Sequence, residues 1–293
     1  MKPFDYYAAD SLQQATALLS QENRVVRPLA GGTDLLVQLR HDLKQVDAVV
    51  DIKKIPELNQ LNLDFETGLT IGAAVSCARI CADPGIRSAY PGLIDGVSII
   101  GGSAIQERAT LGGNVCNAAP SADAVPVLIV LQATCTIIEP NGMRVLPVED
   151  LFTNPGQTLL KPGDLLVSFH ISPQPVHSAA AYLRFTPRRE MDIAIAGAAT
   201  WVALSNDLQT ITEARIALSA VAPTPLYVKQ AGDLLKGCAP DDIAIARAVR
   251  CAKDSATPIS DMRGTLAQRT HLVGVLVKRA LHTAINRAVN RAE

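Results

Sequence analysis

The sequence predicts an α+β fold in two units: short strands alternating with helices, then long strands followed by helices. Residues 10–55 read in the order helix, strand, loop, helix, strand. The segment "SPQPVHSA" (Ser172–Ala179), two prolines among polar neighbours, reads as a linker. Beyond it, three long apolar strands precede three helices. A length of 293 residues with 48% hydrophobic side chains suffices for two cores.

The elements follow in order. "DSLQQATALLSQ" is an amphipathic helix: Ser11 and Gln14 form a capping box, and Leu12, Ala15, Leu18 and Leu19 recur at helical spacing. "RVVRPLA" is a strand entering a Gly-Gly loop, "DLLVQLRHD" a helix, and "DAVVDIKKI" the next strand. "GLTIGAAVS" is a strand, a helix covers Cys77–Cys81, and "GLIDGVSIIGG" is a helix ending at Gly101-Gly102. "ADAVPVLIVLQA" is largely apolar, which leaves helix and buried strand both open. "TCTIIEPNGMRVLPV" forms a hairpin about Asn141-Gly142, and "GDLLVSFHI" is a strand. After the linker, "AAYLRFT", "IAGAATWVALS" and "EARIALSAVAPTPL" are strands. "YVKQAGDLLKG", "DDIAIARAVRCAKD" and residues 265–291 are helices, so this unit is a sheet with helices on one face. The last helix carries Val273, Leu276, Val277, Ala280, Leu281, Ala284, Ile285 and Ala288 as a stripe, read as core with a subunit interface as the alternative.

Composition excludes several functions. A net charge of −1 without basic runs gives no sign of nucleic-acid binding. The amino terminus lacks the apolar segment of a secretory signal. The longest apolar runs, Val125–Ile138 and Ile193–Leu204, fall short of the ~20 residues of a membrane helix, so no membrane span and a cytoplasmic location are expected. Six cysteines without a C-x-x-C pair read as reduced thiols, and the five histidines make no ligand cluster, so no metal site is expected. The G-x-G-x-x-G, G-x-x-x-x-G-K-[ST] and G-x-S-x-G motifs are absent.

Two similar loops remain, "LAGGTDLL" (Leu29–Leu36) and "TLGGNVCN" (Thr110–Asn117). A diphosphate needs several backbone N–H groups at close range, which bulky side chains would block. "AGGTD" offers two glycines, a Thr hydroxyl and a helix amino terminus. "TLGGN" offers the Thr110 hydroxyl, the Gly112 and Gly113 amides and the Asn114 side chain. Each alone is more often a tight turn than a phosphate site; together they make a shared diphosphate site plausible. No candidate general base or nucleophile stands beside a pocket, so no catalytic residue is assigned.

The segments "PLAGGTDLLVQLR", "ATLGGNVCNAAPSADAVPVL", "GDLLVSFHI", "FTPRREMDIA", "SAVAPTPL" and "RGTLAQR" resemble, in order along the whole chain, the FAD-binding medium subunits of the molybdenum hydroxylases. Xanthine dehydrogenase and aerobic carbon monoxide dehydrogenase belong to this family, and the likeness is greatest to the xanthine dehydrogenase type. The resemblance implies an FAD-binding domain of the vanillyl-alcohol-oxidase-like type over residues 1–175, in lobes of about 1–55 and 56–175. A C-terminal α+β domain with an antiparallel sheet follows over 176–293. FAD would lie between the lobes, against Leu29, Ala30, Gly31, Gly32, Thr33, Asp34 and Leu35 from one and Thr110, Gly112, Gly113 and Asn114 from the other. Asp123 matches an acid kept near the cofactor; bonds from neutral hydroxyls or amides are expected for it, with capping of the next helix as the alternative. Ile100 and Leu166 match apolar flavin contacts. Arg184 stands where relatives often carry Lys, either as a fixed charge near the flavin or as a solvated surface residue.

One departure stands out: the family's Gln-Ile-Arg-Asn is here "AIQE" (Ala104–Glu107), with Gln106 for the usual Arg. The resemblance also implies partners: a large subunit with the molybdenum cofactor and a small subunit with 2Fe-2S clusters, assembled as a dimer of heterotrimers. Electrons would leave through NAD, a quinone or oxygen. The alternatives are a medium subunit of a carbon monoxide dehydrogenase-like or other aldehyde or N-heterocycle hydroxylase, a free-standing FAD oxidoreductase, and a scaffold that has lost its flavin.

Overall fold

A strand concealed in the sequence pattern begins the chain. In the computed structural model, which describes residues 2–188 and 191–291, β1 (Asp5–Ala8) pairs in parallel with β3 (Ala48–Asp51). β2 (Val26–Leu29) flanks β3 on its other side, also parallel. Helices α1 (Leu12–Leu19) and α2 (Leu35–Arg40) make the crossovers. β1 is mostly exposed and shows no apolar alternation, so period-two reading passes over it. The capping of α1 is as the sequence predicts on one side: Gln14 N–H donates to Ser11 Oγ. The Gln14 side chain instead accepts from Asp10 N–H, one residue upstream of the cap.

The second lobe is a five-stranded antiparallel sheet. β4 (Leu61–Asp64) and β5 (Gly68–Gly72) are followed by six short helices: α3 (Cys77–Ala82), α4 (Pro84–Ala89), α5 (Pro91–Val97), α6 (Ser103–Gln106), α7 (Leu111–Asn117) and α8 (Ala124–Val130). β6 (Thr134–Glu139) and β7 (Gly142–Pro147) form the expected hairpin. Glu139 pairs with Gly142, so its tip is Pro140-Asn141, one residue earlier than expected. A small hairpin of β8 (Phe152–Asn154) and β9 (Gln157–Thr158) precedes β10 (Leu165–Ile171), and the order is β4-β5-β10-β6-β7. The ambiguous "VPVLIV" is helical, and all seven residues of α8 are buried. α5 ends at Val97 rather than at Gly101-Gly102. Ile100 N–H turns back to Val97 O, and Gly101 (φ +65°) breaks the helical path before α6.

The C-terminal sheet consists of β11 (Ser178–Phe185), β12 (Ala196–Leu204), β13 (Ile211–Ser219) and β14 (Leu226–Tyr227), all antiparallel. α9 (Lys229–Asp233), α10 (Asp242–Ser255) and α11 (Leu266–Asn290) follow. Alternation along the strands divides them between two cores. Ala179, Ala181, Ala198, Val202 and Ile216 pack with α10 and α11, and seven of the eight α11 stripe residues lie in that core, Ala280 being buried as well. Ala180, Tyr182, Ala199, Trp201 and Ala217 join the core of the amino-terminal part. Every residue of β12 is buried, because α8 covers its face opposite α11 while α5 covers the neighbouring β11. Small side chains permit the approach: a Cβ on Gly92 of α5 would stand 2.5 Å from the Ala180 Cβ.

Polar ties fasten the two halves. Arg287 of α11 makes a two-pronged pair with Asp95 of α5. Arg215 donates to Val130 O at the end of α8 and stacks 3.7 Å from the Trp201 ring. The linker is pinned by Trp201, whose indole N–H donates to Gln174. Within "RGTLAQR", Arg269 is 4% exposed and donates to Ile195 O, Ala220 O and Asp261. Arg189 and Glu190 of "FTPRREMDIA" lie outside the described residues. All six cysteines are free. Among the described residues no helix is long and apolar enough to cross a membrane, and no group of three or more His, Cys, Asp or Glu could hold a metal.

Candidate functional site

The two Gly-Gly loops meet. A Cβ on Gly31 would stand 1.8 Å from Arg108 O and 3.1 Å from the Ala109 Cα, so the loops touch backbone to backbone. Next to this contact, the Gln38 amide of α2 donates to Asn117 Oδ1 of α7. Leu29 closes β2, Ala30 leads into the loop, and Gly32 takes φ +77° ahead of the α2 start. Among the described residues, the N–H groups of Gly31, Gly32, Thr33, Asp34 and Leu35 engage no acceptor. The first amide to do so is Leu36, which donates to Gly32 O. Asp34 heads α2 without a side-chain capping bond. Consecutive free amides around a left-handed glycine form an anion-binding concavity.

The second loop is built differently. Thr110 caps α7, with its Oγ1 accepting from Gly113 N–H, and Asn114 N–H donates to Thr110 O. Gly112 N–H donates to Ala73 O, and Leu111 N–H to Val75 O. The loop is thus laced to the chain after β5, with a further bridge between Ser76 and Thr110. The expectation that Gly112 and Gly113 present open amides does not hold, because their protons are already engaged. Gly112 is instead required by packing: a Cβ would stand 2.5 Å from Ala73 O. What this loop presents is the Thr110 hydroxyl, the exposed Gly113 and the Asn114 side chain. Asn114 Oδ1 is buried and has no hydrogen-bond partner, a lone acceptor in the first turns of α7.

Asp123 lies beyond α7, 7% exposed, at the head of α8, yet it makes no capping bond. Its carboxylate accepts from the Tyr182 hydroxyl at 2.8 Å and from the Arg184 guanidinium. The neutral donor matches expectation; the guanidinium was not foreseen. Burial pushes the carboxyl up to about 6, against the opposing pull of Arg184 and Tyr182. Arg184 is neither solvated nor an uncompensated charge: its side chain is 8% exposed and paired. Ser219 completes the cluster at 3.1 Å from the Tyr182 hydroxyl. Sequence reading missed Tyr182, although its spacing of two from Arg184 places both on one face of a strand.

Ile100 is half-buried beyond α5, and Leu166 is 2% exposed within the first core at a shift in strand register. Leu166 therefore leaves little side chain for a ligand. Gln106, at the departure from the family pattern, donates to Ser98 O at 2.5 Å and ties α6 to the end of α5.

Comparisons with known proteins agree over the whole length. Residues 2–175 match the family described as FAD binding domain in molybdopterin dehydrogenase, and residues 181–284 match the CO dehydrogenase flavoprotein C-terminal domain. The putative xanthine dehydrogenase FAD-binding subunit of Escherichia coli K12 is 32% identical, over 96% of this chain and 95% of that protein. The carbon monoxide dehydrogenase medium chain of Afipia carboxidovorans is 31% identical, over 98% of both chains. Among solved structures, carbon monoxide dehydrogenase from Hydrogenophaga pseudoflava matches with a TM-score of 0.93 at 30% identity, over 98% of this chain and 99% of that one.

Proposed function

We propose an electron-transfer function on this premise: the chain belongs to the FAD-binding subunits of the molybdenum hydroxylases, a family of oxidoreductases. The subunit takes electrons from 2Fe-2S clusters of a small partner subunit, while a large partner with the molybdenum cofactor oxidises the substrate. Residues 1–175 form the flavin domain and 176–293 the domain that packs against it. The observation that carries this reading is the run of five free amides, Gly31 to Leu35, docked against the head of the second loop.

These residues fit FAD. The amides of Gly31–Leu35 and the Thr33 and Thr110 hydroxyls suit a diphosphate. The partnerless Asn114 Oδ1 suits a hydroxyl or N–H donor of the cofactor. Leu29, Ala30 and Ile100 supply apolar flank, Gly112 seats the second loop, and Gly113 leaves room for close approach. Asp123 and Arg184 stand beside the site as a neutralised pair, so their field at a distance is that of a dipole. Leu166 supports the site from within the core. When bound there, FAD would supply the redox chemistry that couples single-electron donors to a two-electron acceptor such as NAD, a quinone or oxygen.

Purified full-length chain mixed with FAD tests this reading. A yellow protein with quenched flavin fluorescence and near-stoichiometric FAD is the expected result; a chain that takes up no FAD overturns it. Co-purification with molybdenum- and iron-containing subunits from the native cells is expected too. A flavoprotein isolated without them would favour a free-standing oxidoreductase.

A further inference from the structure

Tyr182 lies on the C-terminal sheet, outside both Gly-Gly loops, yet its hydroxyl reaches the segment that leaves α7. That segment, residues 118–123, is held at each end. Ala118, in the left-handed region (φ +50°), accepts from Gly156 N–H. Pro120 O accepts from Ala220 N–H at 2.7 Å, and Ala220 is itself left-handed (φ +62°). A non-glycine residue holds that conformation only when its surroundings impose it. Here the Ala220 carbonyl is fixed by the buried Arg269 of α11. At the far end of the segment, Asp123 is gripped by Tyr182 and Arg184, with Ser219 behind the tyrosine. The segment is continuous with α7, which carries Thr110 at its cap and Asn114 in its first turns.

We propose that Tyr182 is a positioning residue for the flavin: through its hydroxyl's bond to Asp123, the C-terminal sheet sets the seat of α7 and its second loop. This rests on the FAD-binding reading above. The C-terminal domain is then part of the cofactor site rather than an appendage to it. The Tyr182 hydrogen bonds run to Asp95, Asp123 and Ser219 and to no loop residue, so its route to the second loop is through Asp123.

The charged and titratable groups around the Asp123 carboxylate make the effect readable. From β11 come Arg184 and Tyr182. α5 brings Asp95, which is held by Arg287 and by Tyr182 N–H, and β13 brings the uncharged Ser219. The α8 residues that follow Asp123 are apolar. Burial raises the Asp123 carboxyl to about 6, and the Tyr182 bond opposes that rise. Protonation of Asp123 dissolves its pairing with Arg184, so FAD affinity weakens as pH falls through about 6. Removing the Tyr182 hydroxyl moves this midpoint upward.

The test is a double-mutant cycle on the full chain, with FAD Kd read by flavin fluorescence from pH 5 to 8 in wild type, Tyr182→Phe, Asp123→Asn and the double variant. Tyr182→Phe is expected to raise Kd about ten-fold at pH 7, the scale of one hydrogen bond to a charged group. Its pH midpoint should move upward, while Asp123→Asn should show no midpoint. In the Asp123→Asn background, Tyr182→Phe should change Kd by less than about two-fold, since its only route has been removed. Unchanged Kd and midpoint in Tyr182→Phe overturn the inference alone, as does a ten-fold effect that persists in the Asp123→Asn background. If Tyr182→Phe does not fold, Ser219→Ala takes its place in the cycle, with a two- to three-fold loss expected in wild type and none beside Asp123→Asn. A wild type that binds no FAD overturns the parent reading and this inference with it.

Discussion

The two Gly-Gly loops look alike in sequence and are opposites in structure. The first keeps five successive amides free behind a left-handed glycine. The second engages its amides in capping α7 and in lacing to the chain after β5. Glycine serves approach in both, but approach to different things. Gly31 lets one loop touch the other, Gly112 lets α7 lie on Ala73, and Gly113 leaves open space beside Thr110. A Gly-Gly pair thus reports a close contact without saying whether its partner is ligand or protein.

The comparison yields a ranked set of expectations. Gly112→Ala should be among the most damaging. Its Cβ has no room against backbone, so a loss of about 3 kcal/mol or more in stability is expected by denaturant titration. Second comes pH. The folded Asp123 carboxyl, at about 6, lies above its ordinary 3.8, so its contribution is fully present below 3.8 and lost as pH rises through about 6. Between pH 4 and 7, wild type should therefore lose about 2–3 kcal/mol of stability relative to Asp123→Asn. Denaturation curves for both at each pH would reveal parallel behaviour if the carboxylate does not titrate there.

Gly31→Ala should force the loops apart, since its Cβ would clash with the Arg108 backbone; a stability loss of about 3 kcal/mol is expected here too, together with about a hundred-fold lower FAD affinity. Gly113→Val tests the exposed face of the second loop. At least a ten-fold loss of FAD affinity is expected, with stability within about 1 kcal/mol of wild type. Normal flavin content in that variant would remove Gly113 from the site. Gln106→Ala is the mildest: loss of its bond to Ser98 O should cost about 1 kcal/mol and leave FAD affinity within two-fold.

Much of the fold was legible because its signals are local. The Ser11 cap, the β6–β7 hairpin and the eight-residue stripe of α11 each declare themselves within a few turns of chain. β1 did not, because an exposed edge strand needs no apolar alternation and its partner lies beyond α2. Within the candidate site, the loops and Asp123 were named by resemblance. The role of Gly112 was not, since the atom that forbids its Cβ belongs to Ala73. Nor was the pairing of Arg184, whose partner lies sixty-one residues away.

Most of the elements, the division into two kinds of α+β unit, and the loops with the chemistry to meet a diphosphate could be read from the sequence alone. Periodicity, caps and glycine pairs act over a few residues, and so they can be read from a few residues. Which amides stay free, the neutralisation of Arg184 by Asp123, and the bond from Tyr182 of the second unit to Asp123 of the first follow only from the folded chain. Those outcomes depend on which distant groups share one buried place, where an unmet polar group is costly and a met one directs its neighbours.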